Sequence, residues 1–346
     1  MAYRLDPTLG TAPELRRVVG DQLGAARAKL RVEGGPDADA IHDVRKHLKK
    51  ARSALRLARG DLGRGVVRHA NAVLRDCGQE LSSQRDADAM VETAERLREP
   101  AEEAGPPSRA AVDALHTALS DRADGARTGE GSVRVTGVAL ELDRLDRWLA
   151  IVAPQAEGWE ALAPGVRRQY GRGADALGDL GDAPTDGQLH EWRKRAKDLW
   201  YHLRLLRDLW PAIVKPQVKA ASHLADLLGD DHDLAVLGTL LGPADAGGDG
   251  DSPQPPDGAP LLAPVDLPSE QADLVHDLVA TERARLQAEA RRLGALLYAD
   301  TPDAWADRLG AWWRIATLTP PDADADADAD DDDAGDATEA TASASA

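Results

Sequence analysis

The sequence predicts an all-α protein made of two related helical bundles, and three observations carry that expectation. Alanine, leucine and arginine dominate while β-branched residues are sparse, a balance that favours helix over strand. Apolar residues recur at helical spacing along most of the chain, and no stretch shows the alternation of a half-buried strand. A basic helical segment also occurs twice, about 148 positions apart, each time followed by a similar second element.

Along the chain, residues 1–10 read as a loose, disordered end. Thr11, Pro13 and Glu14 give a capping-box start to a helix that runs to about Val32, where Gly34, Gly35 and Pro36 break it. Further helices are expected over about 39–59, 64–81, 84–98, 108–123 and 134–151. After the Pro154–Gly158 break they resume over about 159–178, 186–209, 212–228, 232–241, 268–298 and 303–317. The two bundles are thus placed at 11–153 and 157–318 within one domain spanning 11–318. Residues 243–267, rich in Gly, Pro and Asp, are expected as a disordered acidic insertion. Residues 319–346 carry an Asp-Ala repeat and are expected as a disordered acidic tail.

The repeat is the most informative feature. Ile41–Arg59 aligns without gaps to Leu189–Arg207, and eight of the nineteen positions are identical. The shared residues include His42/His190, Arg45/Arg193, Lys46/Lys194, Lys49/Lys197 and Arg56/Arg204. A second pair follows, 81–90 against 228–237, which sets Asp86 opposite Asp233. In the first copy Ile41, Val44, Leu48, Ala51, Leu55 and Ala58 form an apolar stripe; His42, Arg45, Lys46, Lys49, Arg52, Arg56 and Arg59 form a basic stripe beside it. Residues 42–59 net +6 and residues 190–207 net +4.

Like charges three and four positions apart weaken a helix by a few tenths of a kcal/mol per pair. A sequence that accepts this in both halves points to a polyanion that supplies the counter-charge. Seventeen helical residues span roughly 26 Å, which suits an extended string of phosphates better than one small anion. Arginine offers a bidentate fork to phosphate oxygens, and lysine a point charge. The net charge of −18 does not oppose this. The tail from Pro321 contributes −10 and the stretch Ala244–Glu270 contributes −6, so the remaining body is close to neutral, at about −2. Local charge within a Debye length governs binding.

The doubled pattern His-x-x-Arg-Lys-x-x-Lys, His42 to Lys49 and His190 to Lys197, with Leu55-Arg56 and Leu203-Arg204 after it, resembles the CHAD family, the conserved histidine α-helical domain. The resemblance covers about residues 11–318 apart from the acidic insertion. It implies two bundles related by a pseudo-two-fold axis, with the basic helices facing a central groove or pore. It also implies binding of inorganic polyphosphate and association with polyphosphate granules. Some members are fused to a triphosphate-tunnel domain, for which the 40 residues before His42 leave no room, so this chain looks like a stand-alone form. It departs from the family pattern at Lys49-Lys50, at Asp198 and at Trp200-Tyr201.

The expected polyphosphate ligands are therefore His42, Arg45, Lys46, Lys49, Arg52 and Arg56 from the first copy, and His190, Arg193, Lys194, Lys197 and Arg204 from the second. Lys215, Lys219 and Arg68 join them from the helices that follow; Arg64, Arg75, Arg167, Arg168, Arg172 and His223 are further basic candidates that read first as ordinary surface. No metal and no cofactor are expected: His42 and His47 are five apart, and no His-Glu-x-x-His or cysteine pair occurs. The single Cys77 excludes an intrachain disulfide. Neither a signal peptide nor an apolar run of about 18 residues is present, so a cytoplasmic protein with no membrane partner is expected.

The reading is a non-enzymatic binding protein. The alternative is a metal-dependent phosphohydrolase or phosphotransferase acting on polyphosphate or nucleotides, with Asp86 and Asp233 holding Mg²⁺; helix capping or pairing with an arginine is the plainer role for both. Nucleic-acid binding, with Trp192, Trp200 and Trp210 stacking on bases, comes third. Core packing is the plainer role for Trp192. Oligomeric state is left open by the sequence.

Overall fold

Both basic helices are started by side-chain caps. The Asp37 carboxylate accepts the Ala40 N–H at 2.7 Å and opens α2, Ala38–Leu57. Thr185 and Gln188 form a reciprocal capping box that opens α10, Asp186–Leu205. The computed structural model describes residues 2–81, 85–126, 132–152, 157–242 and 264–318, and among them all regular structure is helical. The other α-helices are α1 (Thr11–Leu30), α3 (Arg59–Leu62), α4 (Arg64–Glu80), α5 (Arg85–Arg96), α6 (Arg98–Ala104), α7 (Pro106–Ala126), α8 (Ser132–Ile151), α9 (Trp159–Gly178), α11 (Pro211–Leu240), α12 (Ser269–Leu297) and α13 (Pro302–Leu318). Short 3-10 helices sit at Pro7–Leu9 and Arg207–Leu209.

The N-terminal helices pack α1 on α2 and α8, α4 on α2 and α8, and α5 on α7. The C-terminal helices pack α9 on α10 and α13, α10 on α11, and α11 on α12. The two sets meet where α2 packs on α9 and α10, where α3 packs on α9, and where α5 and α7 reach α11 and α12. At the first of these meetings α9 presents Gly165 to the end of α2. A Cβ there would lie 1.8 Å from the Leu57 carbonyl oxygen, so only glycine permits the approach.

The end of α2 and the middle of α10 cross in opposite senses. Going from Ser53 to Arg56, the partner on α10 falls from His202 to Asp198. The His202 Nε2–H donates to the Ser53 carbonyl at 3.2 Å, and Arg56 is clasped by the Asp198 carboxylate. Arg195 donates to the same carboxylate at 2.8 Å. The Asp198 side chain is only 4% exposed, so its charge is matched by two guanidinium groups inside the contact.

Several expectations are corrected. Residues 1–10 are not loose over their described part. Tyr3 and Leu5 are 5% and 2% exposed; the Leu5 N–H bonds to the Leu205 carbonyl at 2.9 Å and the Tyr3 hydroxyl to the Lys50 carbonyl at 2.9 Å. Apolar residues in a short segment can still dock a terminus when backbone partners are at hand. The Thr11–Glu14 capping box does not form. Gly10 precedes α1, the Thr11 hydroxyl donates to the Gly158 carbonyl at 2.8 Å, and Glu14 accepts the Asp6 N–H at 2.9 Å. The helices expected at 212–228 and 232–241 are one 30-residue helix, α11. Its buried stripe of Leu224, Leu227, Leu228, Leu234 and Leu237 runs through Gly229, and packing outweighs the weak helix propensity of one glycine. Helices α3 and α6 were not foreseen. Most of the insertion, 243–263, lies outside the described residues, but Val265 near its end is buried and donates its N–H to the Leu240 carbonyl at 2.6 Å. The tail 319–346 lies wholly outside them.

Two measurements check this packing. Gly165→Ala, which raises intrinsic helix propensity, is expected to destabilise the protein by about 2–4 kcal/mol in urea unfolding, because the added methyl meets the Leu57 carbonyl. A neutral or stabilising result contradicts the close approach. His202 gives a pH test: burial, ahead of the attraction of Asp198, pushes its pKa down to about 4 from 6.5. The unfolded chain therefore binds a proton that the folded one does not, and stability is lost as pH falls from about 6.5 towards 4. That group alone accounts for up to about 3 kcal/mol of the loss. His202→Gln is expected to flatten the melting curve across that window.

Candidate functional site

On the side of α10 that faces α11, the second copy of the motif builds a dense cationic cluster. The His190 and His232 rings lie 4.7 Å apart between centroids. Arg193 lies over Gly229 of α11, where even an added Cβ would be 3.7 Å from its guanidinium. The Nε of Arg193 and the Nε2 of His232 are both buried, and neither has a hydrogen-bond partner among the described residues. Burial first, then the charges of Arg193, His190, Arg283 and Lys194, push the His232 pKa down to about 3. A neutral imidazole is thus held inside a strongly positive field, and the buried Arg193 Nε–H, joined by His232 Nε2 in its N–H tautomer, is placed to donate. A buried donor left unmatched costs about 1–3 kcal/mol, and a phosphate oxygen recovers that cost.

A second layer of ion pairs holds this cluster in place. Asp231, 1% exposed, accepts from Arg283 Nε at 3.0 Å and Gln287 Nε2 at 2.7 Å. Arg283 also clasps Asp186 in the first turn of α10, so one guanidinium ties α10, α11 and α12 together. Arg96 of α5 reaches Asp230 and Asp233 at 3.6 and 3.7 Å, which brings the N-terminal helices to the same spot. Asp233 therefore pairs with an arginine and, lying inside α11, caps no helix. The Asp86 side chain lies outside the described residues.

In the first copy, His42, Arg45, Lys46, Lys49 and Arg52 are half-buried along α2. Asp43, next to this row, is paired with Lys29. Burial pushes its carboxyl up, but the Lys29 hydrogen bond and the charges of Lys29, Lys46 and His42 outweigh it and hold the pKa below the ordinary value.

Two predicted ligands sit elsewhere. Arg56 is engaged at the α2–α10 crossing by Asp198. Arg204 is 5% exposed, with its guanidinium 5.0 Å from the Trp200 ring centroid and 5.7 Å from that of Tyr3. Its cation–π packing belongs to the contact between the halves. The cause is Tyr3, from the segment that sequence reasoning left loose. Arg68 and Lys219 are exposed and Lys215 is half-buried. His223 accompanies them on α11 but bonds Glu289 at 2.9 Å. Trp192 and Trp200 are core residues, whereas Trp210 is half-exposed against Trp312 at 5.4 Å. His232, Arg283 and Arg96 were missed. His232 alone carried a signal, since it stands immediately before Asp233 in the second repeated element.

The fold is all-helical, and two histidine-led basic helices pack together in it. The family model described as CHAD domain matches residues 17–242, and the chain belongs to that family, which is known for binding polyphosphate. Among solved structures it is similar to PptA from Streptomyces chartreusis, with 16% sequence identity and a TM-score of 0.52, covering 83% of this chain and 98% of that one. At that identity the likeness shows the fold alone. No curated protein matches the chain. Among the described residues no helix is long and apolar enough to cross a membrane.

The clamp at the crossing supplies a test. Asp198→Ala leaves Arg56 and Arg195 without their shared buried carboxylate and is expected to cost about 3–5 kcal/mol of stability. Chemical denaturation that places the variant within 0.5 kcal/mol of the parent, on the scale of an exposed ion pair, refutes the assignment.

Proposed function

We propose that this protein binds inorganic polyphosphate without turning it over, through the basic rows of α2 and α10, and that this binding localises it to polyphosphate granules. The observation that carries the reading is the pair of buried, unmatched nitrogens of Arg193 and His232 beside His190 and Lys194. Such donors in a positive field suit phosphate oxygens, and a row of them suits a chain of phosphates. Family membership adds independent support.

The proposal includes a pseudo-two-fold relation between the halves and a basic groove shared by them. The recurrence of packing supports the first: α1 lies against α2 and α8 as α9 lies against α10 and α13, and α5 lies against α7 as α11 lies against α12. The contacts of α2 with α10 and of α5 with α11 bring the halves together on both sides of the basic rows and support the second. Arg56 and Arg204 are left out of the ligand set; both serve the contact between the halves. His42, Arg45, Lys46, Lys49, Arg52, His190, Arg193, Lys194 and Lys197 remain in it, with Lys215 and Lys219 at its edge; Arg68, exposed on α4 away from α10 and α11, is left out as well.

Lys46→Glu combined with Lys194→Glu is expected to weaken binding of long-chain polyphosphate by at least about 100-fold in a titration. Parental affinity in that double variant refutes the reading. Binding by the parent should fall steeply with salt, as counterion release demands. Phosphate release in the presence of Mg²⁺ or Mn²⁺ should stay at background; turnover above it favours the phosphohydrolase alternative. Polyphosphate should displace RNA from the protein far better than RNA displaces polyphosphate.

A further inference from the structure

A second concentration of arginines lies beside the α9-facing side of α10, where α3 packs on α4 and α9. Arg59 of α3 feels the positive charges of Arg168, Arg64, Arg172 and Arg68. Arg64 and Arg68 are one turn apart on α4, and Arg168 and Arg172 one turn apart on α9, so two pairs of guanidinium groups flank Arg59. The backbone enforces this proximity. Gly60 of α3 lies so close to Pro164 of α9 that an added Cβ would be 2.8 Å from the proline ring, and Pro164 stands one turn before Arg168.

Glu191 of α10 is shared between Arg172 at 3.1 Å and Arg195 at 3.0 Å, and Asp61 lies on α3 itself. Burial first, then the charges of the four arginines, hold the Arg59 pKa below its ordinary value. Arg64, Arg68 and Arg168 are exposed. The matching stretch of the second half, 211–219, holds two lysines and no arginine. Arg59 closes the first repeated segment and has its counterpart in Arg207, whereas Arg64 and Arg68 have no arginine counterparts in that stretch.

On α10 itself, His190, Arg193 and Lys194 face α11, while Glu191 and Arg195 face α9 and the crossing. The arginine patch and the motif cluster thus flank one helix about 10 Å across. We propose that Arg59, Arg64, Arg68, Arg168 and Arg172 form a second anion-binding site that takes another part of the same polyphosphate chain, so that one long chain is held on both flanks of α10. The proposal rests on the polyphosphate reading above. It makes affinity depend on chain length: tripolyphosphate occupies the motif cluster alone, and a long chain gains effective concentration at the second site.

The test compares the intact protein with Arg64→Ala/Arg68→Ala/Arg168→Ala, all three at exposed positions, using tripolyphosphate and long-chain polyphosphate as probes. The triple variant is expected to keep parental melting behaviour and parental affinity for tripolyphosphate. It should lose about tenfold or more in affinity for the long chain. Its salt dependence should become shallower by about 2 in log–log slope, which a purely structural change would not produce. The corresponding Arg→Lys triple variant should restore that slope. Parental affinity and slope for the long chain overturn the proposal, as does an equal loss for both probes. Failure of the polyphosphate reading looks different: there the Lys46→Glu/Lys194→Glu variant keeps full affinity, whatever the arginine variant does.

Discussion

Asp198 is the constraint on which the rest of the structure depends. A carboxylate 4% exposed, clasped by Arg56 from one half and Arg195 from the other, pins α2 to α10 at a single point. Removing two or three charges from water is expensive, and such a group is stable only when hydrogen bonds satisfy it from several sides. The neighbouring contacts are apolar or backbone-directed: His202 on the Ser53 carbonyl, Tyr3 on the Lys50 carbonyl, and Gly165 against Leu57. Together they fix where the C-terminal ends of the basic stretches of α2 and α10 meet.

Charge is managed differently on either side of that point. At the crossing, every arginine named is matched by an acid or an aromatic face. Away from it, along His190 to Lys194 and around His232, cations accumulate, and the ion pairs present, Asp231 with Arg283 and Arg96 with Asp230 and Asp233, hold the frame. Those pairs spend their acids on the second layer and leave a positive field over Arg193 and His232. Under the proposed reading, supports stiffened in this way pre-organise the inner donors for an anion, because little rearrangement would accompany binding.

The same logic separates arginines that the sequence presents alike. Arg45, Arg56, Arg193 and Arg204 occupy equivalent places in a repeated pattern. Burial divides them: Arg56 and Arg204 are consumed by the contact between the halves, while Arg45 and Arg193 stay with the rows. The arginines around Arg59 lie far apart in the chain, at 59, 64, 68, 168 and 172, and converge only because α3 lies on α9.

Local chemistry was enough to reveal the all-helical class, most helix spans, the doubled basic pattern and the resemblance to the CHAD family, since each is written in spacing of 3.6 residues and in repeated residue types. Tertiary structure alone decided that residues 2–10 dock, that α11 runs unbroken through Gly229, that Arg204 is buried under Tyr3, and that His232 joins His190. These outcomes share one physical reason. Each depends on which distant surface meets a residue, and a side chain's neighbours within four positions carry no record of that.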